Sequence, residues 1–321
     1  MYYKAKALIC QQLSYCFIKQ SYDFEKGEDT VRTKIGEIRS GGGDILLKLF
    51  DVTVPKHIRP LVLHRHTQME IACVISGSGS YSVGDEIYPM EAGDIFVFSS
   101  NEFHCITEIA TPSMNILTLQ FEPRYLFGSS FDSLSNGCIH LCFAHSDGFQ
   151  NRIPAACAAA LRNTLFQLRD ELRSQAPEAA LLVKSYLNIF LVTLIRDHNF
   201  AGQTRSFKRK NVHAIRDAVD YIHLHLFEPI TLPDIADAVH ISPSHLSALF
   251  KDFFQVSLWN YIIAKRIDRA ILMLMDQDNQ STILEIAMQC GFNNATNFNR
   301  AFKKHTGLTP SDYRDSPPQQ P

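Results

Sequence analysis

The residues of this chain best suited to chemistry are ones that bind rather than react. Arg300 is a side chain able to grip guanine in bidentate fashion or to clamp a phosphate, and Asn297 and Asn299 flank it. Ser244 and Ser247, in an earlier segment of similar pattern, are short and cannot bridge far into a groove. A second concentration lies at His64-Arg65-His66 and Glu70, with Gly77 after it. Residues 1–150 otherwise supply no obvious nucleophile or phosphate loop. Gly41-Gly42-Gly43-Asp44 lacks the Lys-Ser/Thr that a phosphate-binding loop needs and reads as a turn.

The elements that must position Arg300 come from an internal repeat. Thr231-Leu232-Pro233-Asp234-Ile235-Ala236 recurs 51 residues later as Thr282-Ile283-Leu284-Glu285-Ile286-Ala287, and each copy has the capping-box form that starts a helix. The copies turn at His240-Ile241 and Gly291-Phe292. Ser242-Pro243 and Asn293-Asn294 then open a second helix in each, with Leu246, Leu249, Phe250 and Phe298, Ala301, Phe302 inward. Helix, tight turn, and a helix with one apolar stripe and one polar face is the helix-turn-helix pattern, whose second helix enters the major groove. Two copies are joined by Ser257 to Met275, about 28 Å of helix, near the roughly 34 Å between successive major-groove faces.

The 321 residues argue for about two domains, and 45% hydrophobic content gives each a core. A net charge of −2 excludes a basic nucleic-acid coat, so DNA binding must use a local surface. The eight cysteines show no C-x-x-C pair and read as reduced thiols of a cytoplasmic protein. The N-terminal apolar stretch is too short for an export signal, and Lys184, Ser185 and Asn188 interrupt the most membrane-like segment, Ala179 to Ile195. No membrane role is expected.

Between Asp44 and Phe121 the chain reads as short strands: Leu61-Val62-Leu63, Glu70 to Ile75, Ser80 to Val83, Asp94 to Phe98 and Asn115 to Phe121. Such spacing suits a barrel or double-sheet sandwich. Residues 122–150 read as irregular. Ala155 to Arg173 and Pro177 to His198 carry apolar residues at helical spacing and should form a helical hairpin, either packed on the barrel or forming a dimer seam through Leu191 and Leu194. Residues 201–211 read as a linker.

From about Val212 to Arg314 the chain resembles the AraC/XylS family of bacterial transcription regulators. The residues that carry this are Ile286-Ala287, Cys290-Gly291-Phe292, Phe298-Asn299-Arg300-Ala301-Phe302-Lys303-Lys304, Gly307, Thr309-Pro310 and Tyr313-Arg314, with Tyr261, Arg266 and Ala270 in the joining helix. The first copy departs from the pattern, with Gln255 in place of a glycine and Ala248 in place of a basic residue. The resemblance implies DNA contacts from Thr296, Asn297, Asn299 and Arg300, with Lys303 and Lys304 near phosphates, and from Ser244, Ser247 and Lys251 in the first copy. His64-Arg65-His66, Glu70 and Gly77 resemble the first half of the cupin motif, H-x-H-x3-E-x6-G, and His104 stands where its second half places a histidine. The leading glycine is replaced by Ile58, and Pro89 to Gly93 is longer than the pattern. In metal-binding cupins such residues surround a divalent transition metal. In sensor domains of this family they resemble effector-pocket residues.

The expected fold is α+β and multidomain: a cupin-like β-barrel (1–150), a helical hairpin (151–200), a linker (201–211) and an all-α double helix-turn-helix domain (207–315). The expected function is a DNA-binding regulator controlled by a sugar or other metabolite at His64, His66, Glu70 and His104. Its partners would be a double-stranded operator, RNA polymerase and a second copy of itself. The alternative is a metal-dependent cupin enzyme tethered to DNA.

Overall fold

The computed structural model describes residues 31–39, 45–56, 64–100, 102–126, 145–146, 148–174, 176–200, 209–254, 256–276 and 279–315. The expected turn at Gly41 to Asp44, the strand at Leu61 to Leu63, most of 127–147 and Gln255 lie outside these residues. The N-terminal half is built from β1 (Val31–Arg39), β2 (Ile45–Pro55), β3 (Met69–Ser76), β4 (Ser78–Val83), β5 (Glu86–Glu91), β6 (Ile95–Phe98), β7 (His104–Ile109), β8 (Ser113–Phe121) and β9 (Arg152–Ile153). They form a six-stranded sheet, β1-β2-β8-β3-β6-β9, and a three-stranded sheet, β5-β4-β7.

The larger sheet is buried on both faces, which is why β3 reads as an apolar run from Ile71 to Ile75 rather than an alternation. Ala72, Val74, Phe96, Phe98 and Ile116 face inward, against Tyr81, Val83 and Ile106 of the smaller sheet. Ile71, Cys73, Val97, Leu117 and Leu119 face outward onto the helical hairpin α1 (Ala159–Ser174) and α2 (Ala179–Asp197). Gly77 explains its place in the motif. It joins β3 to β4 at φ +91°, and a Cβ there would lie 2.7 Å from the Ser113 carbonyl oxygen.

The hairpin corrects one expectation. Leu191 and Leu194 are fully buried against the barrel, so they cannot form a seam with a second copy. Apolar side chains of α2 that do reach solvent are Leu181, Leu182 and Ile189.

The C-terminal half comprises α3 (Arg209–Leu224), α4 (Leu232–Ala238), α5 (Pro243–Phe254), α6 (Leu258–Met275), α7 (Ile283–Gln289), α8 (Ala295–Thr306) and α9 (Pro310–Asp315). The end of the expected linker, Arg209 to Asn211, is thus already helical. Both capping boxes form: Thr231 with Asp234 opens α4, and Thr282 with Glu285 opens α7. Ser257 and Asn294 cap α6 and α8 by their side chains alone, accepting from the backbone N–H of Asn260 and Asn297. The two halves of the repeat keep separate cores, with Leu246, Phe250 and Phe253 in the first and Phe298, Phe302 and Tyr313 in the second.

Arg266 on α6 ties them together. Its guanidinium donates to the carbonyl oxygens of Leu226 at 2.7 Å, Glu228 at 2.9 Å and Gly291 at 2.6 Å. Gly291 sits at φ +81°, and its counterpart 51 residues earlier, His240, holds φ +55° with a side chain attached. The left-handed region costs a residue with a Cβ about 1 kcal/mol or more. His240→Gly should therefore raise stability by up to about 1 kcal/mol, offset in part by the entropy of a glycine in the unfolded chain. The shift in urea midpoint checks it.

Candidate functional site

The inward row Lys48, Gln120, Glu70 and Phe98 runs across β2, β8, β3 and β6 in register. His66 lies just before β3, and a two-way backbone bridge pairs His64 with His104 at the start of β7. One ring nitrogen from each of His64, His66 and His104 falls within 4.8 Å of the other two. Glu70 Oε2 lies 2.9 Å from His66 Nε2 and 3.7 Å from His104 Nε2, and it accepts from Gln120 Nε2 at 2.6 Å. Burial alone would raise the Glu70 pKa, but the imidazoles of His104 and His66 outweigh it and hold the carboxyl well below its usual range. The expected quartet is thus one cluster.

Its fine geometry fits a cation. His104 Nδ1 donates to the Glu102 carbonyl oxygen at 2.9 Å, which turns the Nε2 lone pair into the barrel. That buried Nε2 has no hydrogen-bond partner among the described residues. His66 Nδ1 likewise donates to the Gln68 carbonyl oxygen at 2.9 Å, directing its own Nε2 inward. Such second hydrogen bonds orient metal-binding imidazoles. Three donors each about 2.1 Å from one ion lie mutually at most about 3.6 Å apart, so closing on an ion asks each side chain to move by less than about 1 Å. The cavity beside His64 and Glu70, lined also by Val52, Tyr81, Ile106, Ile116 and Thr118, has a volume of about 20 Å³. That holds one water-sized occupant.

Sequence reasoning missed the cations of this lumen. The Arg32 guanidinium lies 3.4 Å from the centroid of the Phe50 ring, and burial lowers its pKa to about 10. Burial and the charge of Arg32 bring Lys48 down to about 8. Their inward direction follows only from strand register, which a charged edge strand such as β1 does not advertise.

The reading helices present the other set. On α8, Phe298 and Phe302 are fully buried, while Thr296, Asn297, Asn299, Arg300, Lys303 and Lys304 are exposed. Thr296, Asn297, Arg300, Lys303 and Lys304 recur at helical spacing and share a face. Arg300 Nη2 reaches Asn297 Oδ1 at 3.4 Å and pairs with no acid among the described residues. On α5, Ser244 and Lys251 are exposed and Ser247 is half-buried. The joining helix α6 spans 18 residues, about 27 Å.

A third cluster lies between the halves. Lys265 of α6, only 6% exposed, is enclosed by Glu122, Thr67 and Asp268. Sequence offered one signal: Leu258, Tyr261, Ile262 and Lys265 follow helical core spacing, and a lysine occupies the fourth place.

Known proteins agree with both halves. Residues 235–316 match the helix-turn-helix domain family and residues 51–117 the cupin domain family. The melibiose operon regulatory protein of Escherichia coli K12 is 26% identical over 262 residues, 80% of this chain and 84% of that protein. The HTH-type transcriptional regulator YdeC of Bacillus subtilis is 22% identical over 273 residues, 83% of this chain and 90% of that one. A Staphylococcus aureus regulator, SACOL0084, is 26% identical over 259 residues, and the aligned part covers only 32% of its length. In fold the chain is similar to ToxT of Vibrio cholerae O395 bound to (E)-4-(8-methylnaphthalen-1-yl)but-3-enoic acid, with a TM-score of 0.55, 15% identity, and 84% of this chain and 98% of that chain covered.

A cupin barrel followed by two helix-turn-helix units on one joining helix defines a DNA-binding transcription regulator. Over about four fifths of its length the chain is similar to transcription regulators rather than enzymes, and its C-terminal part carries a helix-turn-helix domain of the AraC type.

Proposed function

We propose that this regulator reads a double-stranded operator mainly through α8 and is controlled by a small metabolite at the histidine pocket. The exposed Arg300, paired with no acid among the described residues and set on a helix fixed by Phe298 and Phe302, carries the first part. Selection from random duplexes with the full chain should enrich a defined sequence whose binding weakens with salt. Failure to enrich any sequence would overturn the reading.

The pocket supports the second part. Its small volume requires the barrel to open for a metabolite, and Arg32 and Lys48 favour one bearing an anionic group. The relatives include a melibiose regulator, so a sugar is the competing class. A thermal-shift screen separates them, because a ligand bound only by the folded state raises the melting temperature.

His64, His66, His104 and Glu70 would also hold a divalent transition metal, which would order the pocket and supply a coordination site. Protein purified without chelator should then carry about one ion per chain, and His66→Ala should lose it. An ion-free protein after metal-replete expression removes this option while leaving the metabolite pocket.

The reading extends to a cytoplasmic homodimer that contacts RNA polymerase. Helix α2 is long and apolar enough to cross a membrane by length and composition, yet its inner stripe packs under the barrel. A second copy best covers the outer stripe of Leu181, Leu182 and Ile189. Leu181→Glu with Ile189→Glu should give monomers in sedimentation. A dimer that survives the double substitution places the seam elsewhere.

A further inference from the structure

We propose that the buried cluster of Lys265 and Glu122 is a latch through which the histidine pocket communicates with the DNA-binding half. The inference rests on the regulator reading above and adds the route of control.

Lys265 Nζ donates to both carboxylate oxygens of Glu122 at 2.5 Å and to Thr67 Oγ1 at 2.6 Å. Thr67 Oγ1 in turn donates to Asp268 Oδ2 at 3.4 Å, and Gln68 Nε2 donates to Glu122 Oε1 at 2.6 Å. Glu122 closes the end of β8, while Lys265 and Asp268 lie one turn apart at the middle of α6. Asp268 also reaches His305 on α8, at 3.5 Å. One short network therefore joins the barrel, the joining helix and the helix that carries Arg300.

The barrel side of this network is the same backbone that forms the pocket. His66 is a pocket imidazole. Thr67 and Gln68, the next two residues, are latch residues, and the His66 ring is tied to the Gln68 carbonyl oxygen. Thr67 is itself anchored, its carbonyl accepting from Ser100 Oγ at 2.8 Å. Redirecting His66 toward an occupant therefore moves the chain that holds Thr67 and Gln68 against Lys265 and Glu122. A solvated surface pair would absorb such a shift at little cost, but buried charges depend steeply on the geometry of their partners. Thr67 and Gln68 are thus positioning residues between the pocket and α6.

The test is a cycle on the full chain, with DNA affinity for a duplex selected by the parent as its readout. His66→Ala perturbs the pocket. Glu122→Leu with Lys265→Met replaces the ion pair by apolar groups of similar size, which keeps a buried site folded. With the latch intact, His66→Ala should change affinity roughly fivefold or more. With the apolar pair it should change affinity less than about twofold, since the route is cut. The same fold-change in both backgrounds, or none in either, overturns the latch. Should the parent select no DNA, the regulator reading fails by itself, and hydrogen exchange then tests the latch. His66→Ala must speed exchange at the centre of α6 in the parent and not in the apolar-pair variant. Unchanged exchange in the parent overturns the proposal.

Discussion

Glu122→Leu alone should destabilise the folded chain by about 3–5 kcal/mol, the cost of leaving a buried charge without its partner. Among the described residues the Lys265 ammonium would keep the Thr67 hydroxyl, the Asp268 carboxylate, whose nearest oxygen lies 3.8 Å away, and the face of the Tyr261 ring at 5.7 Å. That residual attraction places the loss toward the lower end of the range. Adding Lys265→Met should recover most of it, because removing both charges together removes the desolvation penalty as well as the attraction. The single tryptophan, Trp259, sits on α6 two turns before Lys265 and reports unfolding of this region by fluorescence in urea. A fall in midpoint of the single variant that the second substitution reverses is the expected pattern. A single variant as stable as the parent would mean that water reaches Lys265 once Glu122 is gone.

The repeat in the last third was legible because capping is local chemistry. Thr231 with Asp234 and Thr282 with Glu285 stand three residues apart, and both boxes form as their spacing predicts. β3, β4, β6 and β8 were legible from apolar content and their bounding turns. β5 was not, since Met90 is its only fully buried residue, and β1 and β7 carry charges or polar groups that blur their alternation. The histidine cluster was visible only through resemblance to a known motif, because a backbone bridge brings His104 to His64 from 40 residues away. Gln120, Arg32 and Lys48 enter the same space by register, which depends on how four strands align. The latch was hidden for a deeper reason. Glu122 and Lys265 are 143 residues apart, and each alone reads as an ordinary surface charge. Only the place of Lys265 on an apolar stripe hinted that its partner had to be buried with it. The partner of Leu191 and Leu194 was illegible for the opposite reason. Leu191 and Leu194 have the spacing of any packed helix face, which cannot say whether the partner is the same chain or another.

Arg300→Ala should weaken binding to the selected operator by about 1–3 kcal/mol, while Ser247→Ala should cost less than about 1 kcal/mol. The difference follows from reach and exposure. Arg300 projects from α8 with its fork of donors held beside Asn297 and with no acid among the described residues to satisfy it, so DNA supplies a stronger partner. Ser247 is half-buried on α5, and its hydroxyl is too short to bridge to a base edge from there. The fold should tolerate the change, since Phe298 and Phe302, not Arg300, hold α8 on its core. Two measurements then separate the roles open to an arginine here. If Arg300 grips guanine, its loss should matter less on DNA altered at that base pair. If it clamps a phosphate, the loss should be the same on every sequence, and the dependence of affinity on salt should become shallower by about one counterion. A folded Arg300→Ala protein that binds its operator as tightly as the parent would move the main reading role from α8 to another helix, with α5 next in line through Ser244 and Lys251.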